Sequence, residues 1–219
     1  MDQNIWKLQD SSLHRQVRRA EAIKSMLGNP KAVLDVGCAE GFITSFISDF
    51  STYVVGIDLD RDSLKIAKVK VKNVDFVQAS ITNLPFRGGW FDAVACCEVL
   101  EHLPNHIIEK GIKEIDGVLS TKGILLISVP YREQITYTRC IHCGKLTPLW
   151  GHLQSFDENK VSSLLPKNYR LVKKKLPNLG LISCSKLFKW LPFRIWLLMN
   201  DLLGVIGKGY WIVMKYCKF

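Results

Sequence analysis

The sequence predicts an α/β fold, in which a doubly wound, mostly parallel sheet carries helices on both faces. Between residues 31 and 130, short apolar segments of strand length alternate with segments of helical periodicity. This pattern is typical of parallel sheets with crossover helices. Glycines and acidic residues follow the first two predicted strands. Open α/β sheets bind ligands at this edge, so we expect a ligand site there.

The predicted elements alternate regularly up to residue 130. A helix over 11–27 follows a serine and ends at the GNP segment. The next elements are the strand KAVLDVG, the helix FITSFISDF, the strand TYVVGIDLD (52–60), the helix RDSLKIAKVKVK, strands at 74–80 and 90–100, a helix at 104–119 and a strand at 123–130. Beyond these, CIHCG is predicted to be irregular, SFDENKVSSLL to be a capped helix, and YRLVKKKL and GYWIVMKYCKF to be strands.

The composition is typical of one globular domain with a small lobe attached. Of the 219 residues, 47% are hydrophobic and 23% are charged. The polar N-terminus does not resemble a secretion signal, and no uncharged apolar run approaches the ~20 residues that span a bilayer. The seven cysteines are an odd number, and Cys38, Cys96 and Cys97 lie in apolar stretches. We therefore expect a cytoplasmic protein with reduced thiols.

Positive charge is concentrated in the last quarter of the chain. The net charge is +10. Residues 1–166 hold nineteen basic and nineteen acidic residues, whereas residues 167–219 hold eleven basic residues and one acidic residue, Asp201. Such asymmetry suggests an anionic partner for the tail, either a membrane surface or nucleic acid.

The first strand-to-helix turn has the features of a nucleoside site. VLDVGCAEGF places Asp35, Gly37 and Gly41 at this turn, where glycine lets the backbone approach a ligand. Asp58 ends the second strand, where a carboxylate can accept hydrogen bonds from both ribose hydroxyls. The turn reads D-x-G-x-A-x-G and departs from the dinucleotide pattern G-x-G-x-x-G. Nucleoside binding is therefore predicted.

Four stretches in order, VLDVGCAEG, VVGIDLD, ASITNLPF and FDAVACCEVLEHL, resemble the class I S-adenosylmethionine-dependent methyltransferases. The resemblance is closer to the type 11 branch, which includes quinone-biosynthesis methylases. Together with GVLSTKGILLISVP, it covers roughly residues 30–130. It implies a Rossmann-like fold with a seven-stranded sheet, S-adenosylmethionine as cofactor, and a short acceptor-binding lobe inserted before the final strands.

The resemblance also implies roles for individual residues. Asp35 and Gly37 would frame the methionine end of the cofactor, Asp58 would hold the ribose, and Cys97 would lie beside the sulfonium. The full set of expected cofactor-binding residues is Asp35, Gly37, Cys38, Gly41, Asp58, Leu59, Ser80, Ile81 and Cys97. Two positions depart from the family pattern. Ala39 replaces a frequent glycine, and Ser80 replaces the usual aspartate near adenine, where a hydroxyl is the weaker acceptor.

Catalysis needs alignment first, because a sulfonium is already an activated methyl donor. His102 is the candidate general base, and Glu98, one helical turn before it, could face the same site. An alternative is that both side chains only order the loop. E-x-x-E-H also resembles the metal-binding stretch of small-RNA 2′-O-methyltransferases and of some quinone-pathway methylases. That resemblance implies that Glu98, Glu101 and His102 would hold Mg²⁺ against acceptor oxygens. We rank this magnesium hypothesis below the hypothesis of a zinc site at Cys140 and Cys143.

Cys140 and Cys143 have the spacing of a zinc knuckle, followed by a glycine. His152 is the candidate third ligand, and His142 or Cys184 the fourth. The alternatives are a redox pair or two buried thiols. Similar C-x-x-C-G…G-H…S-F segments occur in some type 11 methyltransferases. We therefore expect a cap over the acceptor pocket that is stabilised by metal.

The basic, aromatic segment 186–197 has two interpretations. Aromatic rings beside lysine and arginine suit a membrane interface. Alternatively, residues 179–207 pack on the sheet as part of a substrate lobe. Nucleic acid is a third partner, although the tail contains no recognised RNA module.

These observations predict three regions and one principal function. The regions are a helical cap (1–30), a cofactor-binding core (31–130) and an acceptor-binding cap that completes the sheet (131–219). The predicted function is methyl transfer, at oxygen, to a small or lipid-linked acceptor by a protein of the cytoplasm that also contacts the membrane peripherally. The alternatives are an RNA methyltransferase and a cofactor-binding partner subunit without catalysis.

Overall fold

The computed structural model describes residues 10–175, 190–203 and 211–219. Its helices are α1 (Asp10–Leu27), α2 (Phe42–Ser48), α3 (Arg61–Lys70), α4 (Asn105–Val118), α5 (Glu158–Leu164) and α6 (Phe193–Leu203), with a short 3₁₀ helix at Leu100–His102. The strands are β1 (Ala32–Val36), β2 (Tyr53–Asp58), β3 (Asp75–Gln78), β4 (Phe91–Cys97), β5 (Leu119–Pro130), β6 (Tyr137–Arg139), β7 (Leu146–Pro148), β8 (Tyr169–Lys175) and β9 (Trp211–Lys218).

Seven strands form one sheet in the order β3-β2-β1-β4-β5-β9-β8. The first five are mutually parallel, and β9 is antiparallel to both β5 and β8. The predicted doubly wound, mostly parallel seven-stranded sheet is therefore confirmed. The order of connection reverses between β1 and β4, and open α/β sheets bind ligands at such a switch point.

Alternation along the strands divides the core between the two faces of the sheet. In β1, Val33 packs in a cluster with Ile23 of α1 and Ile47 of α2, whereas Leu34 packs with α4 residues such as Ile112. Each of these side chains is at most 3% exposed. Burial of such a side chain contributes about 1.5–3 kcal/mol, so the two apolar faces hold helices on both sides of the sheet.

Three local predictions differ from the structure. β5 begins at Leu119 because its first residues pair with β4 at Phe91. The CIHCG segment is not irregular, since it forms the turn of a separate β6–β7 hairpin. Glu98 and His102 do not share one helical turn. Glu98 follows β4 with a φ of 57°, and only residues 100–102 are helical.

The C-terminal segment combines buried and exposed aromatic residues. Of the tail predicted to contact a membrane, residues 186–189 lie outside the described residues. Trp196 of α6 is fully buried, with the Arg18 guanidinium 5.4 Å from its ring centroid. Trp190 is 87% exposed. Trp196 therefore packs on the domain, as the lobe interpretation expects, and Trp190 is open to solvent.

Among the described helices, none has the length and apolarity that a membrane span requires.

Candidate active site

The turn after β1 is held against β2 by backbone hydrogen bonds. The N–H groups of Gly37 and Cys38 both donate to the Ile57 carbonyl, at 2.8 and 2.9 Å. Gly37 has a φ of 73°, and a Cβ at this position would lie 2.4 Å from Val99 Cγ2. Only glycine fits this conformation and this close approach without strain. The turn therefore places backbone without a side chain at the carboxyl end of β1, as the sequence predicted.

Replacing Gly37 by alanine is expected to weaken cofactor binding about 100-fold, or about 2.7 kcal/mol. The methyl group strains the left-handed backbone and pushes on the end of β4 through Val99. Isothermal titration with S-adenosylhomocysteine measures the loss.

The double variant Gly37→Ala, Val99→Ala removes the clash and keeps the backbone strain, and Val99→Ala alone is its control. Wild-type affinity in the single Gly37→Ala variant would show that the turn does not contact the cofactor.

Asp35 is a buried carboxyl at the carboxyl end of β1. It is 1% exposed and accepts a 2.6 Å hydrogen bond from the Thr44 hydroxyl of α2. Burial raises the pKa of Asp35 from 3.8 to about 7, against the opposing effect of the Thr44 bond, and Asp58 raises it further. A cationic ligand group nearby would favour the carboxylate form.

Asp58 closes the same turn from β2. Its Oδ2 accepts from the Ala39 N–H and its Oδ1 from the Asp60 N–H, both at 2.9 Å. Each carboxylate oxygen retains further acceptor capacity. Asp58 therefore shapes the turn and still offers oxygens at the position expected for ribose.

Three further residues of the expected cofactor-binding set lie beyond β2 and β3. Leu59 is 66% exposed. The Ser80 hydroxyl pairs with that of Thr82 at 2.9 Å and accepts from the Thr82 N–H. The Ile81 side chain is 8% exposed and packs in the core beneath α4.

A cavity of about 870 Å³ opens at the switch point between β1 and β4. Its lining includes all the predicted residues of the first turn, namely Asp35, Gly37, Cys38 and Gly41, together with Cys97 and Glu98 from the end of β4. Asp58, Leu59, Ser80 and Ile81 are not part of this lining. The structure thus brings the predicted residues of the first turn and the end of β4 together in one cavity, and the other four predicted residues do not line it.

Sequence reasoning missed Arg19, which lines the same cavity from α1. Its guanidinium is 3.0 Å from Glu98 Oε2 and lies 4.9 Å from the centroid of the Trp211 ring. Ser128 and Trp211 also donate hydrogen bonds to Glu98. Burial nevertheless raises the pKa of Glu98. The paired arginines of α1, on a helix with an otherwise apolar face, were the available signal.

Three potential metal ligands converge where the 3₁₀ helix meets the segment 149–155. Ligand atoms of Glu101, His102 and His152 all lie within 4.8 Å of one another. The Leu153 N–H donates to the Glu101 carbonyl at 2.7 Å, and the rings of His102 and His152 have centroids 4.8 Å apart. The cluster joins residues about fifty positions apart in the chain.

Glu101 is a buried carboxyl whose two oxygens have no hydrogen-bond partner. It is 0% exposed. Burial, with Glu98 close by, raises the pKa of Glu101 to about 9. Unsatisfied buried oxygens are costly, so this carboxyl fits a site that a cation would complete.

Both imidazoles are oriented through Nδ1. His102 Nδ1 lies 3.3 Å from the Gly151 carbonyl, and His152 Nδ1 lies 2.5 Å from Glu133 Oε2. Carbonyl and carboxylate oxygens only accept, so Nδ1 carries a proton in each ring, and in a neutral ring Nε2 is the acceptor. Histidines that bind metal are typically held in this way. Partial burial and His152 lower the pKa of His102, which favours neutral imidazole.

The predicted zinc ligand set of Cys140, Cys143 and His152 is not assembled. Within the described ranges, Glu101, His102 and His152 are the group of three or more ligand residues that comes together. The His152 ring bonds Glu133 and faces His102 because segment 149–155 is tied to the loop after β4. The cysteines instead lie in the β6–β7 turn, with Cys143 exposed.

The fold and the site together define a class of protein. A sheet of this order, with an antiparallel β9 beside β5 and a glycine turn opening a cavity at the switch point, is the class I methyltransferase fold.

Residues 34–127 match the family model described as a methyltransferase domain, and this confirms the predicted recognition. Residues 34–127 are therefore similar to the methyltransferase domains of the type 11 branch.

Relatives of this domain carry methyltransferase names. The chain is 28% identical over 134 residues to the probable S-adenosylmethionine-dependent methyltransferase of Mycobacterium tuberculosis, covering 61% of this chain and 46% of that protein. It is 40% identical over 80 residues to the ubiquinone biosynthesis O-methyltransferase of Dechloromonas aromatica, covering 34% of each. The chain thus spans half or less of the length of these curated relatives.

Solved structures share the fold over nearly the whole chain. The N-methyltransferase NodS from Bradyrhizobium japonicum has a TM-score of 0.65 and 15% identity, with 96% of this chain and 98% of that chain covered. The putative methyltransferase from Bacillus halodurans has a TM-score of 0.61 and 19% identity, covering 91% and 97%. At these identities the likeness establishes the fold.

Proposed function

We propose that the chain transfers a methyl group from S-adenosylmethionine to an oxygen of a small or lipid-linked acceptor. The observation that carries this proposal is the Glu101–His102–His152 cluster, two members of which follow the cavity-lining residue Glu98 in the same loop. Glu98 lines that cavity, and its charge acts on Glu101. An acceptor bound at the cluster would therefore lie next to the sulfonium that the cavity is expected to hold.

The donor set fits a divalent metal ion. Glu101 offers buried, unpartnered oxygens, and His102 and His152 each offer Nε2. Two imidazoles and a carboxylate suit Zn²⁺ better than Mg²⁺, which prefers oxygen ligands. When bound, such an ion supplies a positive charge that favours the deprotonated form of an acceptor hydroxyl. In this proposal His102 serves as a ligand, and Glu133 fixes the proton on His152 Nδ1.

The rim of the cluster supports an apolar acceptor. Leu149, Trp150 and Leu153 flank Gly151 and His152, and each is 48–66% exposed. Exposed apolar side chains around a polar centre are typical of sites that bind molecules with a polar head and an apolar body. Peripheral membrane contact through residues 190–197, with Trp190 exposed, belongs to the same proposal and would deliver a lipid-linked acceptor.

The proposal predicts which extract of the cell contains the methyl acceptor. The purified full chain, given labelled S-adenosylmethionine, is expected to label an organic-solvent extract of cells and to lose at least about 90% of this activity in EDTA. Added Zn²⁺ should restore it. The same reactions with total RNA and with an aqueous metabolite extract are the comparison.

Three other outcomes would contradict the proposal, each in a different way. Label in RNA alone indicates an RNA methyltransferase. Activity that resists EDTA but is lost in His102→Ala indicates that His102 is a general base without metal. Cofactor binding with no transfer to any extract indicates a partner subunit.

A further inference from the structure

The β6–β7 hairpin carries two cysteines in its turn and is separate from the main sheet. Tyr137 pairs with Pro148, Thr138 with Thr147 and Arg139 with Leu146. The Cys140 N–H donates to the Lys145 carbonyl, and the Gly144 N–H donates to the Cys140 carbonyl, both at 2.8 Å. Gly144 has a φ of 68°. This tight turn fixes Cys140 and Cys143 on one side of the hairpin end.

The backbone of the turn points its N–H groups at one sulfur. Cys140 Sγ accepts hydrogen bonds from the N–H groups of His142 and Cys143 and from the Cys143 thiol. The thiolate is the form that binds metal. Two cysteines three apart, with backbone N–H groups directed at the first sulfur, make a turn that is prepared for a metal ion.

The β6–β7 hairpin supplies only two of the four ligands that a structural zinc ion needs. A structural zinc site is tetrahedral and takes four ligands. In residues 10–175, 190–203 and 211–219, neither cysteine belongs to a group of three ligand residues. His152, the nearest histidine downstream of the pair, is bonded to Glu133 at the methyl-acceptor cluster. Two ligands must therefore come from elsewhere.

We propose that Cys140 and Cys143 of two copies of the chain together hold one zinc ion, which joins the copies into a dimer. Each of the four thiols loses one proton on binding, so the Zn²⁺ tetrathiolate carries a charge of −2. This inference does not depend on the proposed acceptor or on the metal at Glu101.

The surroundings of the turn fit a second copy. Ile141 is 92% exposed, Leu146 65% and Tyr137 56%, and these apolar side chains would be covered in a dimer. The hairpin also carries Arg139 and Lys145, both exposed, and no acidic residue. Two facing hairpins would repel each other through these cations, and the dianionic zinc centre between them offsets that repulsion.

The test measures zinc content and mass of the full chain, purified under reducing conditions. To remove zinc held at the methyl-acceptor cluster, the background is the His102→Ala, His152→Ala variant. We expect one zinc per two chains by elemental mass spectrometry and a dimer by light scattering. A strong chelator should give zinc-free monomers, and added Zn²⁺ should restore the dimer.

Substitutions identify the ligands. Cys140→Ser, Cys143→Ser should abolish both zinc and dimer, whereas Cys184→Ser and Cys217→Ser should change neither. If the first variant does not fold, the cobalt(II) form of the parent decides, since its sulfur-to-metal absorption reports four thiolates or two. One zinc per monomer, loss of zinc in Cys184→Ser, a dimer that survives chelation, or two thiolates on cobalt would each overturn the proposal.

Discussion

Replacing Glu101 by glutamine is expected to slow methyl transfer about 1000-fold, which corresponds to about 4 kcal/mol. The amide keeps the shape of the side chain but removes the negative charge that a divalent ion needs at this buried position. Cofactor affinity should stay within about twofold, because Glu101 does not line the cofactor cavity. Initial rates with the labelled extract, alongside titration of S-adenosylhomocysteine, separate the two quantities.

The same substitution has a thermodynamic signature that does not require a known acceptor. In Zn²⁺ at about 100 times its Kd, a bound ion stabilises the folded state by about 2.7 kcal/mol. In the Cys140→Ser, Cys143→Ser background, which lacks the zinc site proposed for the hairpin, the melting temperature should therefore rise with Zn²⁺, and adding Glu101→Gln should abolish that rise. Glu109→Gln, an exposed carboxylate on α4, is the matched control and should behave as wild type. Equal zinc-induced shifts in both variants would remove Glu101 from the site.

The turn at which we predict cofactor binding could be located from the sequence because it is local in sequence. β1, its turn and β2 are contiguous, and Gly37 and Asp58 lie at turns whose chemistry leaves few alternatives. The sequence of β4 also predicts a buried strand. Because β4 pairs with β1 in parallel, the carboxyl ends of the two strands lie side by side. Periodicity and turn chemistry therefore determine which side chains reach the switch point.

The Glu101–His102–His152 cluster, where we propose acceptor binding, depends on contacts that no local pattern encodes. His152 lies nine residues after Cys143, and proximity in sequence suggested that these residues share a metal. In the structure, hydrogen bonds from Leu153 to Glu101 and from Gln154 to Leu103 place His152 beside His102. The β6–β7 hairpin holds the two cysteines apart from this histidine pair. A long-range pairing between two irregular segments decided which ligands meet.

Arg19 illustrates a second limit of sequence reasoning. On α1 its only sequence signal is the adjacent pair of arginines, which does not reveal that Arg19 is 9% exposed and pairs with Glu98. Its burial depends on Trp211, almost two hundred residues later in the chain. Trp196 is similar, because α6 buries it against α1 through Arg18. The basic tail is thus partly a packing element of the domain.

The stability of the protein is expected to depend on pH through Asp35. Its pKa is about 7 in the folded protein and 3.8 in a free chain. Between these values the folded state binds more protons than the unfolded state, so the free energy of unfolding falls as pH rises. Relative to Asp35→Asn, the wild type should lose about 4 kcal/mol between pH 4 and pH 8. Urea unfolding of both proteins over this range measures the difference.

The comparison with asparagine isolates one titration, since the other groups cancel and any cost of burying the amide is independent of pH. Thr44→Val removes the hydrogen bond that lowers the pKa of Asp35, so the pH at which stability is lost should move upward. A difference that stays constant from pH 4 to pH 8 would mean that Asp35 is hydrated. If Asp35 holds the cationic end of the cofactor, binding below pH 7 must also release a proton. Calorimetry in buffers of different ionisation enthalpy would detect that proton.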